Sequence, residues 1–126
     1  MMKDSTIYYF SGTGNSLYVA RELKRRLPDS CLRPVLFTNK TEIAAPQSER
    51  IGLVFPIYLS SIPGPIRTFI DSINLQPDQY LFAVTTNCGY PGRADYLLAN
   101  LLKAKGLELD YCASLKMISN NPANNP

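Results

Sequence analysis

The sequence contains no histidine and no tryptophan, and it has three cysteines among its 126 residues. Without histidine, the chain cannot supply a Ser-His-Asp triad, a Cys-His pair or a histidine-ligated metal. Cys31, Cys88 and Cys112 are widely spaced and form no CxxC motif, which favours free thiols over a disulfide scaffold or a metal site. We therefore expect no metal ligands in this chain and chemistry that comes from a bound cofactor.

Long apolar runs and a strong charge excess are also lacking. No run is long enough to span a membrane, and Met1–Thr6 lacks the apolar segment of a signal peptide, so we expect a cytoplasmic protein. The formal charge is +3, and its densest basic cluster is Arg21, Lys24, Arg25 and Arg26. No aromatic residues interleave with this cluster, so a solvated helix face is favoured over a surface for nucleic acid or an acidic partner. Neither nucleic acid nor a membrane is expected as a partner.

Five strands are predicted from the pattern of apolar residues. Three runs are apolar throughout, as in strands buried on both faces: Thr6–Phe10, Ile51–Phe55 and Tyr80–Val84. Leu32–Phe37 contains Pro34, which cannot donate to a central ladder and so indicates an edge strand. Leu107–Met117 alternates apolar and mostly polar residues, which predicts a half-buried strand at the other edge.

Three helices are predicted between these strands, over Asn15–Leu27, Pro65–Ile73 and Ala94–Lys105. Each has apolar residues at helical spacing, and Gly106 is placed as a C-terminal cap of the third. Strands that alternate with helices predict a parallel sheet with right-handed crossovers. The two edge signals then favour an α/β doubly wound fold with a five-stranded parallel sheet of order 2-1-3-4-5.

A stretch of glycines, hydroxyls and an amide joins the first strand to the first helix. A phosphate-transferring P-loop would need GK[ST] there, but Gly14 is followed by Asn15. A dinucleotide-binding turn would need a third glycine where Leu17 stands, and an acidic residue that 32–39 lacks. The helix N-terminus attracts an anion, and the hydroxyls and amide can satisfy a phosphate monoester without a cationic side chain. The stretch therefore indicates a site for one terminal phosphate, formed by Ser11, Gly12, Thr13, Gly14, Asn15 and Ser16.

Three segments of the sequence resemble the flavodoxin family, whose phosphate loop has the pattern [ST]-x-T-G-[NT]-[ST]. They are YYFSGTGNS (8–16), IGLVFPIYLSSIPGPIRTFI (51–70) and FAVTTNCGYPG (82–92). The sequence is most similar to the flavodoxin domain of bacterial flavodoxin–ferredoxin fusion proteins. The resemblance implies a flavodoxin-like fold and FMN as the cofactor.

The resemblance also implies that two further loops flank the flavin ring. Tyr58 and Tyr90 are the candidates for stacking on it, and backbone groups of 87–89 would hydrogen-bond its pyrimidine edge. No catalytic residue is expected. The implied ring-binding residues are Pro56, Ile57, Tyr58, Leu59, Ser60, Thr86, Asn87, Cys88, Gly89 and Tyr90.

The C-terminal end departs from the family pattern. We expect residues 1–118 to form the FMN-binding domain and the Asn/Pro-rich tail 119–126 to lead into a further domain, with the family's C-terminal helix missing. The inward residues of Leu107–Met117 would then be partly bare. Two expected coverings are a homo-oligomer contact through that sheet face and a ferredoxin-type iron–sulfur module.

Three functions are compatible with this sequence. The first is an FMN-binding electron-transfer domain that passes electrons between redox protein partners. The second is a flavin-dependent NAD(P)H or quinone oxidoreductase, so the sequence leaves open whether the chain is an enzyme. The third is a flavin-free interaction module that keeps the fold.

Overall fold

Strands and helices alternate along the chain in the computed structural model, which describes residues 5–10, 14–35, 48–57, 62–87 and 93–116. The five strands are all parallel and lie in the order β2-β1-β3-β4-β5, which confirms the predicted α/β fold. The elements are β1 (Ser5–Tyr9), α1 (Asn15–Arg26), β2 (Ser30–Pro34), β3 (Arg50–Pro56), α2 (Gly64–Ser72), β4 (Tyr80–Asn87), α3 (Ala94–Lys103) and β5 (Tyr111–Lys116).

The three central strands are those with continuous apolar runs. All residues of β3 and β4 beyond the first are buried, because helices cover both faces of a doubly wound sheet. Pro34 is the last residue of β2 at one edge, where its missing N–H costs no ladder bond to a further strand. Residues 36 and 37 of the predicted second strand lie outside the described residues.

Helices pack on the two faces of the sheet. On one face, Val19 and Ala20 of α1 belong to a cluster with Ile7, Val54 and Phe82. The helices α2 and α3 contribute to a larger cluster on the other face. The Lys105 ammonium fastens these two helices, because it donates to the carbonyl oxygens of Ile70 and Ile73 at the C-terminal end of α2, the latter at 2.7 Å.

The last strand begins later than its sequence pattern predicts. The strand starts at Tyr111, not at Leu107, so the prediction of a single strand from Leu107 is wrong. Leu107 and Leu109 instead pack against the α2–α3 cluster, which ends the alternation between the two faces. The side chain and backbone of Asp110 both pair with the backbone of Leu81 at 2.8 Å, and this pairing sets the start of β5 beside β4.

One strip of the sheet on the α1 side is exposed. Tyr111 and Leu115 are 56% and 41% exposed, and they are in register with Phe82 and Thr86 on that face. The expectation that residues of the last strand would be partly bare is confirmed for these two. Tyr80 at the start of β4 is exposed as well, with its ring centroid 6.3 Å from that of Phe82.

The contact between β3 and β4 on this face depends on a glycine. Gly52 is the Cα partner of Phe82, and the Phe82 ring lies directly over it. A Cβ atom at position 52 would lie 2.6 Å from Phe82 Cε2, well inside van der Waals contact. The missing side chain therefore makes room for an aromatic ring that is 8% exposed.

We predict that Gly52→Ala lowers the free energy of unfolding by about 1–3 kcal/mol, because the added methyl overpacks the Phe82 ring. In a Phe82→Leu background the same substitution should cost at least about 1 kcal/mol less, since the two positions share one contact. Urea unfolding of the four proteins measures both values. Additive effects of the two substitutions would contradict the proposed packing.

Candidate functional site

Three predicted site segments begin at the same edge of the sheet. Parallel pairing brings the carboxyl ends of β1, β3 and β4 together, with Phe10 N donating to Val54 O at 2.9 Å and Ile57 N to Thr86 O at 2.8 Å. Nine predicted site residues lie outside the described residues, and their roles stay predictions: Ser11, Gly12, Thr13, Tyr58, Leu59, Ser60, Cys88, Gly89 and Tyr90. The other seven lie at this edge: Gly14, Asn15, Ser16, Pro56, Ile57, Thr86 and Asn87.

The N-terminus of α1 lies at this edge. Gly14 precedes the helix with φ 99° and ψ −18°, a left-handed conformation that other residues rarely adopt. The first helical hydrogen bond runs from Tyr18 N to Gly14 O at 3.0 Å, so the N–H groups of Ser16 and Leu17 have no acceptor within the helix. No acidic residue lies in the first turn, and this helix end therefore keeps the positive pole of its dipole.

A buried pair of hydroxyls attaches this helix end to the sheet. Ser16 is 1% exposed, and its Oγ lies 3.2 Å from Thr86 Oγ1 at the end of β4. Because the pair joins two of the predicted site segments, it fixes the distance between the first turn of α1 and the end of β4. The predicted contact of the Ser16 hydroxyl with a ligand stays a prediction.

The end of β4 is polar and buried. The strand runs to Asn87, three residues past its predicted end at Val84, because partners on other elements satisfy its buried polar side chains. Thr85 Oγ1 lies 2.8 Å from Ser114 Oγ, and Asn87 Nδ2 donates to Leu115 O at 3.4 Å. The two threonines directly after the apolar run, a residue type that is enriched in strands, were the available signal for this extension.

A carboxylate beside the end of β5 was not predicted from the sequence. Asp95 in the first turn of α3 accepts a hydrogen bond from Ser114 Oγ at 3.2 Å and also interacts with the Cys112 thiol. Burial raises the pKa of Cys112 to about 12, and the negative charge of Asp95 adds to this shift. Cys31 and Cys112, the two cysteines in the described ranges, are both free thiols.

Comparisons with solved structures support the fold. No protein-family model and no curated protein matches the sequence. A structure from Bacteroides uniformis assigned to the flavoproteins has TM-score 0.75 and 16% identity, over 98% of this chain and 97% of that one. A Lactobacillus acidophilus flavoprotein in complex with FMN has TM-score 0.69 and 18% identity, over 89% and 93% of the two chains.

A part of a larger protein has the same architecture. The rubredoxin:oxygen oxidoreductase of the anaerobe Desulfovibrio gigas matches with TM-score 0.61 and 14% identity, over 93% of this chain and 31% of that one. None of the helices within the described ranges is long and apolar enough to cross a membrane. The strand order and these structural matches show that the chain has the flavodoxin-like α/β fold, with its candidate site at the carboxyl ends of β1, β3 and β4.

The environment of Cys112 leads to a prediction about its reactivity. At pH ~9.5, iodoacetamide should alkylate Cys112 at least about tenfold more slowly in the folded protein than in urea, because only the thiolate reacts. Asp95→Asn removes the nearby negative charge and should speed alkylation of the folded protein, whereas Asp71→Asn on α2 is the matched control. Peptide mass spectrometry resolves the cysteines. Equal rates for wild type and Asp95→Asn would contradict the assigned role of this carboxylate.

Proposed function

We propose that this chain binds FMN at the carboxyl edge of its sheet and transfers electrons between redox proteins. The observation that carries the proposal is the N-terminus of α1, which begins after the left-handed Gly14 and which the Ser16–Thr86 pair holds beside the end of β4. Carboxyl ends of parallel strands are where doubly wound folds bind their ligands. In Lactobacillus acidophilus, a protein of this fold is in complex with FMN.

The donors at this edge suit a phosphate monoester. The N–H groups of Ser16 and Leu17 have no acceptor in α1, and the helix dipole favours an anion there. Residues 11–13 add hydroxyls and glycine, with no acidic side chain to repel a dianion. These donors suit the segment to holding a phosphate. The segment has no lysine, so it lacks the group that a P-loop uses in phosphoryl transfer.

The flavin ring would lie against the loops that follow β3 and β4. Ile57 and Asn87 are the last described residues before these two loops. Tyr58 and Tyr90, which follow them in the sequence, are the candidates for stacking on the ring. When bound, FMN supplies one- and two-electron redox chemistry. The residues of this chain would hold its phosphate, orient its ring and limit the access of water.

Several finer proposals follow the same resemblance. The chain would be the flavodoxin domain of a flavodoxin–ferredoxin fusion or a partner of a ferredoxin-type iron–sulfur protein, and it would act in the cytoplasm. The exposed strip at Tyr111 and Leu115 would be covered by a second copy of the chain or by that module. A flavin-dependent NAD(P)H or quinone oxidoreductase is the second candidate function, and sustained oxidation of NAD(P)H by the FMN-loaded chain alone would favour it.

The phosphate site is tested by comparing FMN with riboflavin, which lacks the phosphate. We predict that Thr13→Ala weakens FMN binding by about 1–3 kcal/mol, because a donor to the phosphate is lost. Riboflavin binding should change by less than half as much. Fluorescence titration of both ligands gives the four dissociation constants.

Thr68→Ala is the matched control, since Thr68 is an exposed residue on α2. It should leave both affinities within about a factor of two. Equal losses for FMN and riboflavin in Thr13→Ala would place the phosphate elsewhere. No measurable binding of either flavin by the wild type would leave the interaction module as the favoured function.

A further inference from the structure

Charges are unevenly distributed along the strand direction. Four exposed basic residues lie at the carboxyl edge of the sheet: Arg33 near the end of β2, Arg67 in the first turn of α2, Arg93 before α3 and Lys116 at the end of β5. Among the described residues, Asp95 is the one acidic residue at this edge. The edge therefore has a formal charge of +3.

The opposite edge is balanced. Among the described residues, the basic ones there are Lys24, Arg25, Arg26, Arg50, Lys103 and Lys105, and the acidic ones are Asp29, Glu49, Asp71, Asp78, Glu108 and Asp110. Six charges of each sign cancel, and in the middle of α1 Arg21 and Glu22 also cancel. The basic cluster on α1 that stands out in the sequence thus ends among acidic neighbours, on the far side from the candidate site.

The segments outside the described residues carry no net charge. Residues 11–13, 58–61 and 88–92, which follow β1, β3 and β4 in the sequence, contain no charged residue. Residues 1–4 and 36–47 each contain one basic and one acidic residue, and 117–126 contain none. The +3 of the carboxyl edge therefore equals the formal charge of the whole chain. Three helix N-termini point to the same edge and strengthen its positive potential.

An exposed aromatic residue lies within this positive edge. The Arg93 guanidinium carbon lies 5.1 Å from the ring centroid of Tyr96, in a cation–π contact, and Tyr96 is 57% exposed. Arginine and tyrosine are enriched in the central contacts of protein interfaces. The pair holds an amphipathic group next to the loop that follows β4.

We propose that the carboxyl edge is the docking surface for an acidic redox protein, with Arg67, Arg93, Tyr96 and Lys116 as its contacts. This inference rests on the proposed electron-transfer function, and it specifies the charge of the partner. A protein is favoured over nucleic acid because the basic residues come from four separate elements and the α1 cluster lies at the other edge. Within the part of the chain that the structure describes, these basic residues do not follow one another along a single element as a track for a phosphate backbone.

The probe is a two-iron ferredoxin with a large net negative charge, immobilised on a sensor and titrated with the 126-residue chain at ~0.02 M and ~0.3 M salt. Raising the salt should weaken wild-type binding at least about tenfold, because contacts between exposed charges are screened.

The triple variant Arg67→Gln, Arg93→Gln, Lys116→Gln should weaken binding about tenfold or more at low salt. The control triple Lys24→Gln, Arg26→Gln, Lys103→Gln removes the same charge from the far edge and should stay within about threefold of the wild type. Thermal unfolding verifies that both variants fold.

Equal losses in the two triple variants, no ferredoxin binding at low salt, or tighter binding of a single-stranded oligonucleotide of equal charge would each overturn the proposal. The single variant Tyr96→Ala should weaken ferredoxin binding at both salt concentrations, and an unchanged affinity would remove Tyr96 from the surface. FMN content is measured for every protein. If the chain binds no FMN but binds ferredoxin with the expected salt and variant dependence, the electron-transfer function is refuted and the docking surface stands. If the chain binds FMN but ferredoxin binding lacks that dependence, the docking surface is refuted and the proposed function stands.

Discussion

The common direction of the five strands determines at which edge of the sheet each turn and each helix N-terminus lies. Since β1, β3 and β4 are covered on both faces, the connections can run only at the two edges of the sheet. Parallel pairing then places every strand-to-helix turn at one edge and every helix-to-strand turn at the other. The helix N-termini, the polar end of β4 and the excess positive charge therefore meet at the carboxyl edge.

Local contacts convert this arrangement into a fixed site. The Phe82 ring fills the space above Gly52 and sets the packing of β3 against β4 under α1. The Ser16–Thr86 pair then ties the first turn of α1 to the end of β4. Because a buried hydroxyl without a partner costs free energy, each of these two groups favours the other's position. A ligand at this edge would meet preformed donors, which reduces the entropic cost of binding.

Much of the fold could be predicted from the sequence because its signals are local. Pro34 marks an edge strand, Gly106 adopts φ 76° after α3 as a C-terminal cap requires, and the apolar runs identify the central strands. The end of β4 was missed because Thr85–Asn87 are polar, and their partners lie at Ser16, Ser114 and Leu115, far away in the chain. The start of β5 was missed because Leu107 and Leu109 continue the alternation but pack on the α2–α3 cluster.

The candidate site was predicted in outline and not in its supporting contacts. The glycines and hydroxyls of 11–16 identify a phosphate-sized segment because the chemistry and the spacing are contiguous in sequence. The interaction of Asp95 with Ser114 and Cys112 joins a helix start to a strand end, and no sequence spacing encodes it. The charge of the carboxyl edge could not be predicted from the sequence either, because the fold determines at which of the two edges each ionisable residue lies.

Flavin binding is measured most directly by equilibrium dialysis of the purified chain against FMN, with the absorbance spectrum recorded after dialysis. We predict an excess of one FMN per chain on the protein side of the membrane, with a visible absorption band that differs in position or shape from that of free FMN. Equal FMN concentrations on the two sides of the membrane, with a spectrum identical to that of the free cofactor, would contradict FMN binding.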